Sequence, residues 1–224
     1  MGTGFREVVM RHVGAIAVVF GLLCAATTAA QRSPVPPTEA ERAIRAEKGA
    51  FLRAALMRES PVEPERLAES IRVALVDTDW AVREMALATI SARNLVPSFT
   101  TSSAETRREW EGERPAMQRM RPVVLRALDD ENENVRRGAV GALQSLDYDG
   151  THAYGRWLSV ETTEALTRLY RREPSPSVRT FIVAVLGGSA KQNPAAVSTL
   201  RAATRDEAPT VRELALRAMN ELQP

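Results

Sequence analysis

Sulfur and imidazole are nearly missing from this sequence: one cysteine, Cys24, and two histidines, His12 and His152, occur in 224 residues. A lone cysteine forms no intramolecular disulfide, and an isolated histidine falls short of the three or four converging ligands that a structural metal needs. Aromatic residues make up only 5% of the chain while alanine is abundant, a balance that suits close-packed helices better than a β-sandwich. An excess of charge of one sign is missing too. The 30 Lys and Arg are set against 28 Asp and Glu, so no uncompensated basic footprint for nucleic acid is expected. The sequence holds no Gly-rich phosphate loop, no G-x-S-x-G turn and no H-E-x-x-H pair, the short motifs that most directly announce phosphate, acyl or zinc chemistry. The expectation is a non-enzymatic, all-α protein with no metal and no cofactor.

A long apolar run is also wanting. Val13 to Ala26 (VGAIAVVFGLLCAA) is about fourteen residues long, against the roughly twenty that a spanning helix requires. Arg6 and Arg11 precede it and the small residues Thr28, Ala29 and Ala30 follow, which is the order of a secretory signal peptide over residues 1–30. Export to a periplasmic or extracellular space is therefore predicted, with retention of the segment as an inner-membrane anchor as the alternative. Cleavage after Ala30 removes Cys24 and His12, so the mature chain has neither a disulfide nor a thiolate nucleophile.

What the sequence does have is a phrase in four copies. An acidic residue is followed five positions later by Val-Arg at Asp77/Val82-Arg83, Asp130/Val135-Arg136, Glu173/Val178-Arg179 and, in the same register, Asp206/Val211-Arg212. Four residues after each valine stand Ala86, Ala139, Ile182 and Ala215, and eight after it Ile90, Leu143, Leu186 and Met219. Small residues at the first position allow close helix approach, and the larger ones fill the layer between units. A turn-and-helix phrase recurring every few dozen residues marks stacked repeats, each burying its apolar face against its neighbours. The fold predicted is an α-solenoid of about four antiparallel helix pairs, at about 64–94, 115–146, 160–188 and 194–222. A proline-rich spacer (31–37) and an additional helix from about Glu39 to Arg58 precede them, the helix opened by the capping box Thr38-Glu-Ala-Glu41. Asn193-Pro194 and Ser175-Pro176 each place a polar cap before proline at a helix start. The valines are 53, 43 and 33 residues apart, so insertions at 96–114 and 147–158 widen the first two intervals.

The acidic residue, the Val-Arg pair and the alanine four residues after the valine resemble the HEAT repeat family, specifically its short HEAT-like repeats first named from phycobilisome lyase subunits, over about Pro64 to Leu222. The resemblance implies an armadillo-type superhelix and a binding role. It also implies that Asp77, Asp130, Glu173 and Asp206 form a ladder along the turns with Arg83, Arg136, Arg179 and Arg212. Analogy within the family adds a more remote alternative, an accessory chromophore or cofactor lyase.

Acid-base catalysis needs carboxylates converging on one pocket, whereas one carboxylate per repeat is spread along the stack, so the ladder is predicted to be structural. The segment Tyr148 to Trp157 (YDGTHAYGRW) gathers Tyr148, His152, Tyr154, Arg156 and Trp157 into the shorter insertion. Tyr, Trp and Arg dominate binding hot spots because each buries a large area and keeps a polar tip. These five are the candidate protein-binding residues, the competing reading being that Tyr154 and Trp157 plug the gap between widened repeats. The longer insertion alternates signs from Glu105 to Arg114 as a solvated helix would; its arginines, with Arg119, Arg121 and Arg126, alternatively form a basic strip for an acidic partner. The function expected is a protein-interaction module or scaffold, and the runner-up a membrane-anchored assembly subunit.

Overall fold

The structure, a computed structural model, describes residues 63–94, 104–148 and 157–222. The chain divides into two compact units, 1–39 and 40–224, and every described residue belongs to the second. The predicted signal segment, the spacer, the capping box and the helix from Glu39 to Arg58 lie outside the described residues, as do 95–103, His152, Tyr154 and Arg156.

Among the described residues there are nine helices and no strand: α1 (Pro64–Ala74), α2 (Trp80–Asn94), α3 (Ala104–Gln118), α4 (Arg121–Ala127), α5 (Glu133–Asp147), α6 (Val160–Arg172), α7 (Pro176–Ser189), α8 (Pro194–Ala203) and α9 (Pro209–Asn220). The pairs α1/α2, α4/α5, α6/α7 and α8/α9 pack internally, and the second helices stack in the order α2, α5, α7, α9. This is the helix-pair stack of an α-solenoid.

The inner second helices, α5 and α7, are buried on more than one side, because each meets its own first helix and the second helices before and after it. Ala86, Ala139, Ile182 and Ala215 are all fully buried, as are Ile90, Leu143 and Leu186 one turn further on. So are Leu87, Val140 and Val183, five residues after each valine. Two glycines mark where neighbouring helices come closest. A Cβ on Gly138 would stand 3.2 Å from Cδ1 of Leu87, and one on Gly187 would stand 2.9 Å from Cβ of Ala218, so α2/α5 and α7/α9 approach at points where a side chain has little or no room.

Side-chain caps define several helix starts. Asn132, Ser159 and Asn193 accept hydrogen bonds from the backbone N–H groups of Asn134 (2.9 Å), Thr162 (3.1 Å) and Ala195 (3.2 Å) respectively, each satisfying a donor that the first turn leaves open. Ser175 departs from the expectation: its side chain makes no capping bond, and the Glu173 carboxylate instead accepts from the Ser175 N–H at 2.9 Å. The first helix of the pair expected at 115–146 also differs. Helix α3 begins at Ala104 and carries Pro115 in its interior, and the break falls at Arg119–Met120. Pro122 accounts for the break, since it has no N–H for the carbonyl of Gln118 and its ring crowds that oxygen.

Candidate functional site

Two arrangements concentrate polar chemistry: the turns that carry the four motifs, and the base of the insertion between α5 and α6. In every motif the acidic side chain accepts from the backbone N–H two residues ahead, Asp77 from Asp79, Asp130 from Asn132, Glu173 from Ser175 and Asp206 from Ala208, each at 2.9 Å. The carboxylate thus shapes the turn into the second helix, as short acidic side chains do. The arginine six residues later sends Nη1 back to the same turn. Arg136 donates there to the carbonyls of Asp130 (2.9 Å) and Glu131 (3.0 Å), and Arg83, Arg179 and Arg212 repeat the pattern in their own turns.

The other edge of each guanidinium crosses to the next unit. Arg83 donates through Nε and Nη2 to Asp130 (2.7 and 2.8 Å), Arg136 to Glu173 (2.7 and 2.6 Å) and Arg179 to Asp206 (2.9 and 2.9 Å). These are two-pronged bonds between opposite charges, the strongest form that side-chain hydrogen bonding takes. They are also largely shielded from water, the Glu173 side chain being 0% exposed. The hydrogen bond that each guanidinium donates to its carboxylate partner raises its pKa against the opposing effect of burial. Every rung therefore ties three things at once: its own turn, its own helix and the turn of the following repeat.

Asp206 has one bond more than Asp130 or Glu173, because the Tyr170 hydroxyl also donates to it at 2.6 Å. Burial acts to raise its carboxyl, but the Arg179 fork, the Tyr170 hydroxyl and the Ala208 N–H together hold it below its ordinary value of 3.8. Burial pushes the Tyr170 hydroxyl up, and its bond to Asp206 adds to the rise. A carboxyl depressed in the folded state binds its proton less readily there than when unfolded, so its stabilisation is fully present above about pH 4 and is lost as the pH falls through the lower, folded value. Glu84 acts in the opposite sense, since burial raises it against the weaker pull of Arg137. The urea midpoint is accordingly expected to fall between about pH 4 and pH 2, and Asp206→Asn to flatten that acid limb. An acid limb of unchanged slope in the variant would show that Asp206 does not contribute.

The second arrangement closes the base of the shorter insertion. Asp147, the last residue of α5, accepts from the Ser159 N–H (2.9 Å) and hydroxyl (3.2 Å), and Arg121 donates to its other oxygen at 2.6 Å. Arg121 also reaches the Thr162 hydroxyl at 3.0 Å, and Leu158 is buried just before the cap. Asp147 and Ser159 thus pin together the two ends of residues 148–158. Tyr148 is half-buried at the start of this segment and Trp157 is 42% exposed near its end.

Of the basic strip, Arg121 is drawn into this clamp and Arg119 pairs with Glu65, while Arg126 and Arg108 are exposed. Sequence reasoning missed Asp147, Ser159 and Tyr170. Ser159 followed three residues later by Thr162 is the signal the sequence offers for the cap. Among the described residues no group of His, Cys, Asp or Glu is placed to hold a metal ion, and no helix is long and apolar enough to cross a membrane.

Residues 163–224, which hold the third and fourth copies of the motif, match the HEAT repeats family profile. The chain is also similar to two crystal structures of engineered proteins. The first is 14% identical, with 70% of this chain and 48% of that chain covered and a TM-score of 0.35. The second is 13% identical, with 80% and 89% covered and a TM-score of 0.38. This chain spans about half the length of the first of them. No curated protein matches. The fold is an α-solenoid of stacked helix pairs, the family match covers its last two pairs, residues 163–224, and the same motif stands in register in the two pairs before them.

Proposed function

We propose that this protein is a non-catalytic interaction scaffold that acts outside the cytoplasm and meets a protein partner through the insertion between α5 and α6. HEAT repeats suggest an interaction or scaffold role in general, and the clamp at residues 147 and 159 is the observation that favours this surface. A loop whose ends are fixed by a buried carboxylate loses less freedom on binding than a free one, which leaves more of the contact energy as affinity. Tyr148 and Trp157 flank the segment and Tyr154, Arg156 and His152 lie between them in sequence, a composition rich in the Tyr, Trp and Arg of binding hot spots. Three motif pairs, Arg83 with Asp130, Arg136 with Glu173 and Arg179 with Asp206, are already committed to one another, which removes them as an obvious site. Export rests on the order of residues 1–30, and a mature amino terminus near Gln31, read by mass spectrometry, is expected.

The test is affinity capture from the exported fraction by the wild-type chain and by a Tyr154→Ala/Trp157→Ala variant, with the captured proteins identified and titrated. Loss of two hot-spot aromatics is expected to weaken binding by about thirtyfold or more, equivalent to about 2 kcal/mol. Equal recovery by both forms removes the insertion from the reading and leaves the exposed helix faces of the solenoid.

A further inference from the structure

Counted back from the motif carboxylates, the first helices fall into register. Five residues before each stand Arg72, Leu125, Arg168 and Arg201, and one residue before it Val76, Asp129, Arg172 and Arg205. In the third and fourth repeats both positions are arginine. Helices α6 and α8 pack side by side, so four guanidiniums form a block, about one helical turn apart along the chain and about 8–10 Å apart between helices. All four are exposed. Arg168 lies 3.7 Å from Glu164 and Arg172 pairs with Asp129, but both partners of each pair are more than half exposed, and such pairs are worth little in water. Arg201 and Arg205 pair with no carboxylate among the described residues. Beside this block the stack opens. A cleft of about 160 Å³ separates α6 from α4, lined by Leu125, Leu128 and Ala165 together with Asp129, Glu161, Arg168 and Arg172. Leu128 and Ala165 are buried and Leu125 is half-buried. Cofactor and drug sites run to about 300–1,000 Å³, whereas a cavity of about 150 Å³ takes up a benzene ring, so this one has room for a single apolar side chain.

We propose that the cleft and the four arginines form one docking surface, for an extended acidic segment of a partner protein that seats a leucine- or phenylalanine-sized side chain between α4 and α6 and lays its carboxylates across α6 and α8. This surface does not depend on the insertion. Charge complementarity selects the occupant, and the rest of this sequence does not supply it: residues 1–62 carry eight Lys and Arg against five Asp and Glu, and residues 149–156 one of each. Nucleic acid or an anionic membrane fits less well, because Asp129 and Glu161 would face its phosphates at the cleft and no lining residue is an aromatic on which a base could stack. An extended segment advances about 3.3 Å per residue, so acidic residues about three apart match the spacing of neighbouring helices.

The probe is a fluorescein-labelled peptide of about twelve residues, one leucine followed by glutamates at about three-residue intervals with serine elsewhere, titrated against the full chain by anisotropy at low ionic strength. Saturable binding is expected. Arg201→Glu/Arg205→Glu should weaken it by about tenfold or more, the loss that goes with charge-assisted bonds, and should move the melting temperature by no more than about 2 °C, as exposed substitutions do. Serine in place of the peptide's leucine should also weaken binding by about tenfold or more, and so should Leu125→Glu, which sets a like charge in the cleft. Absence of saturable binding overturns the proposal, as does binding indifferent to the two arginines or to the peptide's leucine. Tighter binding of oligodeoxythymidine or phosphatidylserine vesicles, with the same dependence on Arg201 and Arg205, would assign the surface to phosphates and overturn the acidic-peptide assignment. The Tyr154→Ala/Trp157→Ala chain is expected to bind the peptide as the wild type does. Loss of binding there would place the peptide on the insertion and overturn this site, so failure of the two readings is separable.

Discussion

Arg136→Ala is expected to lower the stability of the repeat domain by about 3–5 kcal/mol, the range for breaking a buried ion pair by removing one partner. The cost arises on two sides. Glu173, whose side chain is 0% exposed, loses both of its Arg136 bonds and keeps only the Ser175 N–H. The carbonyls of Asp130 and Glu131 lose the Nη1 donor that held the turn before α5. At roughly 2–4 °C per kcal/mol for a domain of this size, the melting temperature should fall by on the order of 10 °C. Arg136→Lys keeps the charge but not the fork, and is expected to fall between the two. Differential scanning calorimetry of the three proteins checks the series. A melting point unmoved by Arg136→Ala would return the rung to consideration as a binding site.

The second large effect is expected in the layer between units. Leu143 of α5 is fully buried, so Leu143→Ala should cost about 2–5 kcal/mol by lost transfer energy and the cavity left behind. The comparison that gives this number meaning is Met219→Ala. Met219 occupies the same motif position in the last repeat but is only half-buried, so its truncation should cost distinctly less. In a stack stabilised by nearest neighbours, the same residue position has a different value at the end than in the middle. Urea denaturation of both variants measures the difference, and equal losses would mean that the end repeat is covered in solution.

The sequence made the motif legible because each copy is local: an acidic turn residue, a helix start and an arginine within seven residues. The direction in which the arginine reaches is a long-range matter. Arg83 forks onto Asp130, 47 residues away, while in its own turn it bonds the carbonyls of Asp77 and Thr78; only the likeness to a known repeat family anticipated a ladder running between units. Helix periodicity failed at Leu87. A surface helix has one apolar stripe, which in α2 the motif places at Val82, Ala86 and Ile90. A helix stacked between two units has a second buried face, which a single stripe does not anticipate. Asp147 was overlooked for a related reason. A carboxylate at the end of an apolar helix reads as solvated, and only the fold brings Arg121 and Ser159 to it. Pro115 was taken as a helix start because proline favours that position, yet it lies inside α3 with its ring exposed.

The central claim is that the recurrent acid and arginine pairs bind repeat to repeat and are not themselves the functional surface. A double-mutant cycle on Arg136→Ala and Glu173→Ala, followed by urea unfolding, tests it most directly. Coupled residues show interaction energies of about 0.5–3 kcal/mol, and a buried two-pronged pair belongs in the upper half of that range. The double variant should therefore be clearly more stable than the sum of the single losses implies. Strict additivity, with each single change costing less than about 0.5 kcal/mol, would contradict the claim.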